Sequence, residues 1–435
     1  MILIIVGVSV FWKEKDDFET NKLMATVVDV SSSKLTVRDQ NDTLYTFQMD
    51  DISALVGDSV VIEYVGLLDE SKTIQTNEIV NFSITVANTD NSSMGIFSNY
   101  YTLASNKLKS MSLDEKIGQL LLVRYPDSGA INDLKKYNFG GFVFFEKDFR
   151  GKTEKEVKDM VLDLQDNANI PLLMAVDEEG GQVVRVSSNS NLVPSKFKSS
   201  QELYSTGGFD LIKEDTIEKS KILKNLGLNL NLAPVVDVST DVNDYMYERS
   251  FGKNTELTST YAKTVIEASK GTGVSYTLKH FPGYGNNADT HQGTSVDNRT
   301  LEEIRNNDLP PFEAGIKASA EAVLVSHNIV SSIDSVNPAS LSKGVHELLR
   351  DDLSFTGVII TDDLAMGAVS SISNATIKAI LAGNDIIITT DYVQSFTEIK
   401  DALNDGTLFE SDIDKVVTRI LAWKYYKGLM FDNLK

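Results

Sequence analysis

Within Lys279–His291, KHFPGYGNNADTH, lie a lysine, two of the chain's four histidines and an aspartate. These residue types can move a proton near neutral pH and grip hydroxyl groups. An imidazole with an ordinary pKa of about 6.5 both gives and takes a proton, and Asp289, two residues before His291, could hold one ring nitrogen and raise its basicity. The preceding apolar run Val274–Leu278 reads as a buried strand, so Lys279 and His280 fall at its end. Gly283 and Gly285 permit backbone angles that a side chain forbids, and Pro282 stiffens the turn. The loop can therefore fold back and present His291 toward the strand it left. The bland alternative is a polar surface loop whose histidines happen to be neighbours.

Such a cluster needs a frame. From about residue 107 the chain alternates apolar runs of strand length with longer stretches of helical character. The runs are Leu120–Val123, Gly141–Phe145, Pro171–Val176, Asn229–Val236, Val274–Leu278, Ala322–Val325, Gly357–Thr361 and Asp385–Thr389. Continuous apolar character marks strands buried on both faces, and intervening helices mark parallel crossovers. Eight such units predict an α/β fold, a (β/α)8 TIM-like barrel, in which chemistry sits at the C-terminal strand ends. A doubly wound sheet is the rival, but no G-x-G-x-x-G follows an early strand.

The polar residues agree with the barrel. The third run ends in Asp177-Glu178-Glu179, with Arg185 close behind; the fourth leads to Asp237 and then Glu248-Arg249; the fifth ends in Lys279-His280, the sixth in Ser326-His327, the seventh in Thr361-Asp362-Asp363. His346, in a helical-looking stretch, reads as structural. Asp289 and His291 could bind a metal in principle, but the chain has no H-E-x-x-H and no His-x-His after the first run, so neither a metal nor a cofactor is expected. G-x-S-x-G is also missing, and zero cysteines exclude disulfides, thiolate metal sites and a cysteine nucleophile. Carboxylate and imidazole chemistry remains. Glycoside hydrolysis uses that set: a proton donor on the leaving oxygen and, in retaining enzymes, a carboxylate about 5 Å away that attacks the anomeric carbon.

The formal net charge of −21 argues against nucleic acid or an anionic membrane surface as the main partner and suits an uncharged ligand. Residues 1–12, MILIIVGVSVFW, are apolar up to Lys13. That is short of the roughly 20 residues of a spanning helix, yet fits an N-terminal membrane anchor within residues 1–20 and an extracytoplasmic location; a first strand of a cytoplasmic protein is the alternative. Residues 21–87 show short alternating runs (Lys34–Arg38, Thr43–Gln48, Ser59–Val65) divided by turn residues, which predicts a small all-β domain, a barrel or sandwich, before the (β/α)8 domain of 107–435. The first 100 residues hold 6 Lys and Arg against 15 Asp and Glu, which argues against a nucleic-acid-binding barrel. Residues 88–106 have linker composition, and Ser112–Glu115 has capping-box spacing with Met111 placed as half of a hydrophobic staple.

The barrel segment resembles glycoside hydrolase family 3, and within it the β-N-acetylglucosaminidases (β-hexosaminidases) that use an Asp-His dyad. The resemblance rests on DEEGGQVVR at 177–185, LNLAPVVDV at 230–238, ERSFG at 248–252, KHFPGYG at 279–285, DTH at 289–291 and TDDLAM at 361–366, in the family's order over about residues 107–430. It implies that Asp362 is a nucleophile forming a glycosyl-enzyme intermediate, His291 the general acid/base and Asp289 its partner. It further implies that Asp177, Arg185, Arg249, Lys279 and His280 hold the terminal N-acetylglucosamine of a cell-wall or chitin-type oligosaccharide. The choice of Asp362 over Asp363 rests on the motif alone, because this strand is apolar on both faces.

Two positions depart from the family pattern. Tyr284 stands where a second histidine is usual, and Thr290 where a serine is usual. The first could alter how the loop closes or which aglycone is accepted. Three rival readings stay open: another sugar specificity, although β-glucosidases of the family usually draw a carboxylate acid/base from a second domain; a non-hydrolytic cell-wall binder, which would have no need of a nucleophile; and transfer of the sugar to phosphate, which a histidine would not repel.

Overall fold

The computed structural model describes residues 20–30, 34–39, 43–49, 52, 54, 59–68, 73–74, 79–86, 91–290 and 293–430. Two compact units emerge, one of residues 1–92 with 409–415 and one of 93–408 with 416–435. The expected anchor lies within residues 1–20, of which only Thr20 is among the described residues. No described helix is long and apolar enough to cross a membrane.

The first unit carries one sheet of six strands: β1 (Thr20–Val30), β2 (Lys34–Asp39), β3 (Leu44–Gln48), β4 (Ser59–Val65), β5 (Thr73–Ile74) and β6 (Ile79–Val86). Their order is β5-β3-β2-β1-β4-β6, antiparallel except for the short β3–β5 pair. The alternation in Lys34–Arg38 does what period two requires: Leu35 and Val37 are buried in a cluster with Leu23, Val27, Phe47, Val60 and Ile62, while Lys34 is exposed and Thr36 and Arg38 lie toward solvent. The turns expected at 31–33 and 40–42 lie outside the described residues.

All eight apolar runs of the second part form parallel strands: β7 (Leu121–Arg124), β8 (Gly141–Phe144), β9 (Leu173–Val176), β10 (Leu230–Asn231), β11 (Ser275–Phe281), β13 (Ala322–Val325), β15 (Val358–Thr361) and β16 (Ile387–Thr389). Two short strands, β12 (Val296–Asp297) after β11 and β14 (Ile329–Val330) after β13, pair with each other in a separate sheet. Each barrel strand pairs in parallel with its neighbours in chain order, and β16 returns to β7. Contacts between Ile360 and Ile386 complete the ring. Helices link successive strands, among them Ala130–Tyr137, Glu154–Asp166, Thr255–Ser269 and Ala375–Ala382. The capping box at Ser112 is present: its hydroxyl accepts from the Glu115 amide at 3.3 Å, and Glu115 accepts from the Ser112 amide at 2.8 Å. The stretch expected as a linker, 88–106, is instead helical over Asn91–Tyr100 and Tyr101–Leu108. Phe97 explains it, being fully buried with its ring 6.4 Å from that of Trp423.

The β15–β16 seam is held by a buried carboxylate. Asp385 accepts from the Ile359 amide at 2.8 Å and from Arg350 Nη2 at 2.7 Å, and it also pairs with Arg419. Arg350 Nη1 in turn donates to the carbonyls of Phe355 and Gly357, just before β15. Removing the carboxylate would leave two largely buried guanidiniums without their anion. Asp385→Ala is therefore expected to destabilise the barrel by about 3 kcal/mol, read as a lower midpoint in urea unfolding followed by tryptophan fluorescence. An unchanged midpoint would show that the seam does not depend on this group.

Candidate active site

The end of β9 sends out three consecutive acidic residues with three different tasks. Glu178 is fully buried and accepts from the amides of Arg185 at 2.8 Å and Val186 at 2.6 Å, and from the Ser187 hydroxyl. It thereby folds the loop that carries Arg185. Gly180 lets that loop pass: its φ is +99° and a Cβ there would lie 2.2 Å from the Lys198 carbonyl oxygen. Asp177 and Glu179 both face Lys279, at 2.8 and 2.7 Å. Glu179 is also gripped by Arg249 in a two-pronged pair, Nε at 3.1 Å and Nη2 at 2.7 Å. Arg185 comes no closer to Asp177 than 3.8 Å, and its Nε has no partner among the described residues.

These pairs set the charge states. Burial alone would raise the Glu179 carboxyl, but the Arg249 and Lys279 charges outweigh it and hold it well below the usual carboxylate range. Burial would likewise lower Lys279, yet Asp177 and Glu179 push it above its ordinary value. Three strand ends are thus tied by ions that must all stay charged.

Asp237, 1% exposed, anchors the motif that follows Lys279. Its carboxylate pairs with His280 Nδ1 at 2.8 Å and accepts from the His280 amide at 3.2 Å and the Tyr284 amide at 2.7 Å. Gly283 (φ +119°) turns the chain directly over Asp308, where a Cβ would lie 2.4 Å from the Asp308 Cβ. The Lys279–His280 and Phe281–Pro282 peptides are both cis.

Asp362 follows β15 and is half-buried. Burial would raise its carboxyl, but the nearby His327 and His280 rings, the Asp363 amide and the Lys279 ammonium together hold it below the ordinary value. Asp363 differs in kind: burial raises it, its carboxylate accepts from the Ala365 amide at 2.9 Å and the Thr390 hydroxyl at 3.3 Å, and its carbonyl accepts from His327 Nε2 at 3.0 Å. One aspartate faces the cations; its neighbour shapes the turn. That distinction cannot be read in a strand apolar on both faces.

The structure thus brings together Asp177, Arg185, Arg249, Lys279 and His280, with His280 and Lys279 near enough to act on Asp362. Asp289 is half-buried and hydrogen-bonded to the Tyr245 hydroxyl. His291 lies outside the described residues, so its expected pairing with Asp289 is not placed. His346 sits in the helix Lys343–Glu347, with Nδ1 2.8 Å from the Ser342 carbonyl oxygen and no place in the site. The sequence reading did not single out Glu179, Asp237 or His327 as site residues, although all three stand at strand ends where a signal existed. Tyr245, in an irregular loop, offered none. An interior cavity of about 20 Å³ behind the site, lined by Glu178, Glu179, Asp215, Lys219 and Tyr276, has room for about one water and none for a sugar.

Arg185, Lys279 and Arg249 stand among Asp177, Glu179 and Asp362. This is a pocket of paired charges rich in donors and acceptors, suited to an uncharged polyhydroxyl ligand. Glu179→Gln would leave Lys279 and Arg249 to share Asp177. The expected cost is about 3 kcal/mol, measured as a lowered urea midpoint relative to the wild-type protein, with Glu202→Gln, an exposed helix-cap residue, showing a smaller loss.

Residues 112–423 match the glycosyl hydrolase family 3 N-terminal domain. The β-hexosaminidase LpqI of Mycobacterium tuberculosis is 30% identical over 331 residues, 72% of this chain and 83% of that protein. A β-hexosaminidase of Stenotrophomonas maltophilia is 32% identical over 256 residues, 57% of this chain and 75% of that protein. Among solved structures, the family 3 β-N-acetylglucosaminidase of Paenibacillus sp. superposes with a TM-score of 0.70 at 28% identity, covering 74% of this chain and 63% of that one. The β-N-acetylhexosaminidase of Beutenbergia cavernae gives 0.66 at 26%, covering 73% of this chain and 99% of that one. With the parallel barrel and its ion-paired mouth already in place, the match over residues 112–423 means that this chain belongs to glycosyl hydrolase family 3 and is a glycoside hydrolase.

Proposed function

We propose that the chain is a retaining exo-β-N-acetylglucosaminidase that removes terminal β-linked N-acetylglucosamine from cell-wall or chitin-type oligosaccharides. The observation that carries this reading is Asp362: a half-buried carboxylate kept ionised by His280, His327 and Lys279 at the strand ends. A carboxylate in that state can attack an anomeric carbon, and the hexosaminidase relatives supply the sugar class. Asp177, Lys279 and the unpartnered Nε of Arg185 offer hydrogen bonds to the sugar's hydroxyls, with Arg249 and His280 beside them.

In the first step the Asp362 carboxylate bonds to the anomeric carbon while His291 gives a proton to the departing oxygen. In the second, His291 takes a proton from water, which displaces Asp362 and restores the starting configuration. Asp289 would hold the imidazole in the required tautomer. No cofactor enters. An extracytoplasmic site of action, with residues 1–12 as anchor, belongs to the same proposal and rests on their apolar sequence.

The test uses aryl glycosides. Wild-type protein should hydrolyse an aryl β-N-acetylglucosaminide in preference to the glucoside lacking the acetamido group; the opposite preference would overturn the sugar assignment, and turnover of neither would favour a binding protein. Asp362→Ala should lose at least about 10³-fold in kcat for every leaving group. His291→Ala should lose roughly 10²-fold or more with a poor leaving group and much less with a good one, which needs little protonation.

The pH profile supplies a separate check. Because Asp362 is held below the ordinary carboxylate range, it stays charged into mildly acidic solution. Activity should then persist into mildly acidic solution and fall as pH rises, as His291 loses the proton it must donate. A profile flat from pH 5 to 8 in wild type would remove His291 from the acid role.

A further inference from the structure

Tyr284 occupies the position at which the family usually carries a second histidine, and its phenol is spent on the loop that leads to His291. The side chain is 3% exposed, packed with Val235 and Met246, its ring 5.8 Å from the rings of both His280 and Tyr245. Its hydroxyl oxygen accepts from the Thr290 amide at 2.9 Å and lies 2.9 Å from Thr290 Oγ1 and 3.2 Å from the Ala288 carbonyl oxygen. One proton and two lone pairs satisfy all three contacts: the phenol donates to Ala288 and accepts from both Thr290 donors.

The tyrosine is itself fixed at both ends of its peptide unit. Its amide donates to Asp237 at 2.7 Å, and its carbonyl accepts from Asn287 at 2.8 Å and Asn328 at 3.4 Å. Thr290, 1% exposed, reaches onward, because its carbonyl accepts from the Ala368 amide at 3.2 Å in the turn that follows Asp362. Residue 290 therefore links the end of β11 to the segment after β15, while the adjoining Asp289 is held by Tyr245. The segment from Gly285 to Thr290 has no helix or strand of its own, and ordering such backbone costs about 1–2 kcal/mol per residue. A rigid buried phenol with three contacts offsets that cost locally.

We propose that Tyr284 is the positioning residue for the acid/base loop, holding Thr290, and with it the neighbouring Asp289, against the turn that follows Asp362. The proposal rests on the reading of His291 as general acid/base. A tyrosine brings one property a histidine there would lack: burial pushes its hydroxyl up to about 12, so the clamp keeps its proton throughout the working range. A histidine would titrate near neutrality and change its donor pattern there.

Tyr284→Phe keeps the ring and removes the clamp. With a poor leaving group, kcat is expected to fall about 10-fold to 100-fold while KM changes by less than about threefold, and the loss should shrink with a good leaving group, in parallel with His291→Ala. Tyr284→His should recover part of the activity and show a new ionisation near neutral pH in kcat. An equal loss across leaving groups, or a change confined to KM, would overturn positioning and leave a packing role. If His291→Ala is sensitive to the leaving group and Tyr284→Phe retains full activity, the clamp alone fails. If His291→Ala retains full activity, the acid/base reading fails and the clamp proposal falls with it.

Discussion

Lys279 projects an ammonium group into a site where it is 2% exposed, and an ion so placed survives only if anions and hydrogen bonds replace its water. Two carboxylates from a neighbouring loop do this, Asp177 and Glu179, and the second needs Arg249 in turn. Because each member is compensated by the next, the strand end of β11 cannot move without exposing an unpaired charge on the loop after β9 or after β10. The polar chemistry of the barrel mouth is thus also its fastening.

The same chain of ions sets what the pocket can hold. A protein of net charge −21 repels anions at long range, yet at the mouth the Lys279 ammonium and the Arg249 guanidinium each meet a carboxylate directly. A neutral sugar meets donors and acceptors already in place. Asp362 benefits from this arrangement, since Lys279 and the two histidines counter the burial that would otherwise protonate it.

Behind this layer stands a second one made of backbone satisfaction. Glu178 faces no ligand; it ends three loop amides and so places Arg185. Asp237 does the same for the His280–Tyr284 turn, and Tyr284 passes that order on to Thr290. Buried acidic side chains that hold peptide N–H groups are a means of making irregular loops as exact in position as strands. The functional side chains can then sit on loops without losing the precision that catalysis needs.

Much of this was legible in the linear chain. Apolar runs of strand length with helical intervals marked all eight barrel strands, because a strand buried on both faces is mostly apolar; the ends of those runs carry the charged side chains that pair at the barrel mouth; and Ser112 and Glu115 announced a helix start by their spacing alone. Local rules suffice where the cause is local. The helical stretch 91–108 escaped, since its polar composition reads as linker and only the burial of Phe97 beside Trp423 recruits it to the fold. So did the split between Asp362 and Asp363 and the bridging role of Glu179. Adjacent residues of one type look alike in sequence, and what separates them is which distant charge each one meets. That pairing is decided when parallel strands close into a ring and bring residues 177, 249, 279 and 362 within the range at which electrostatics acts.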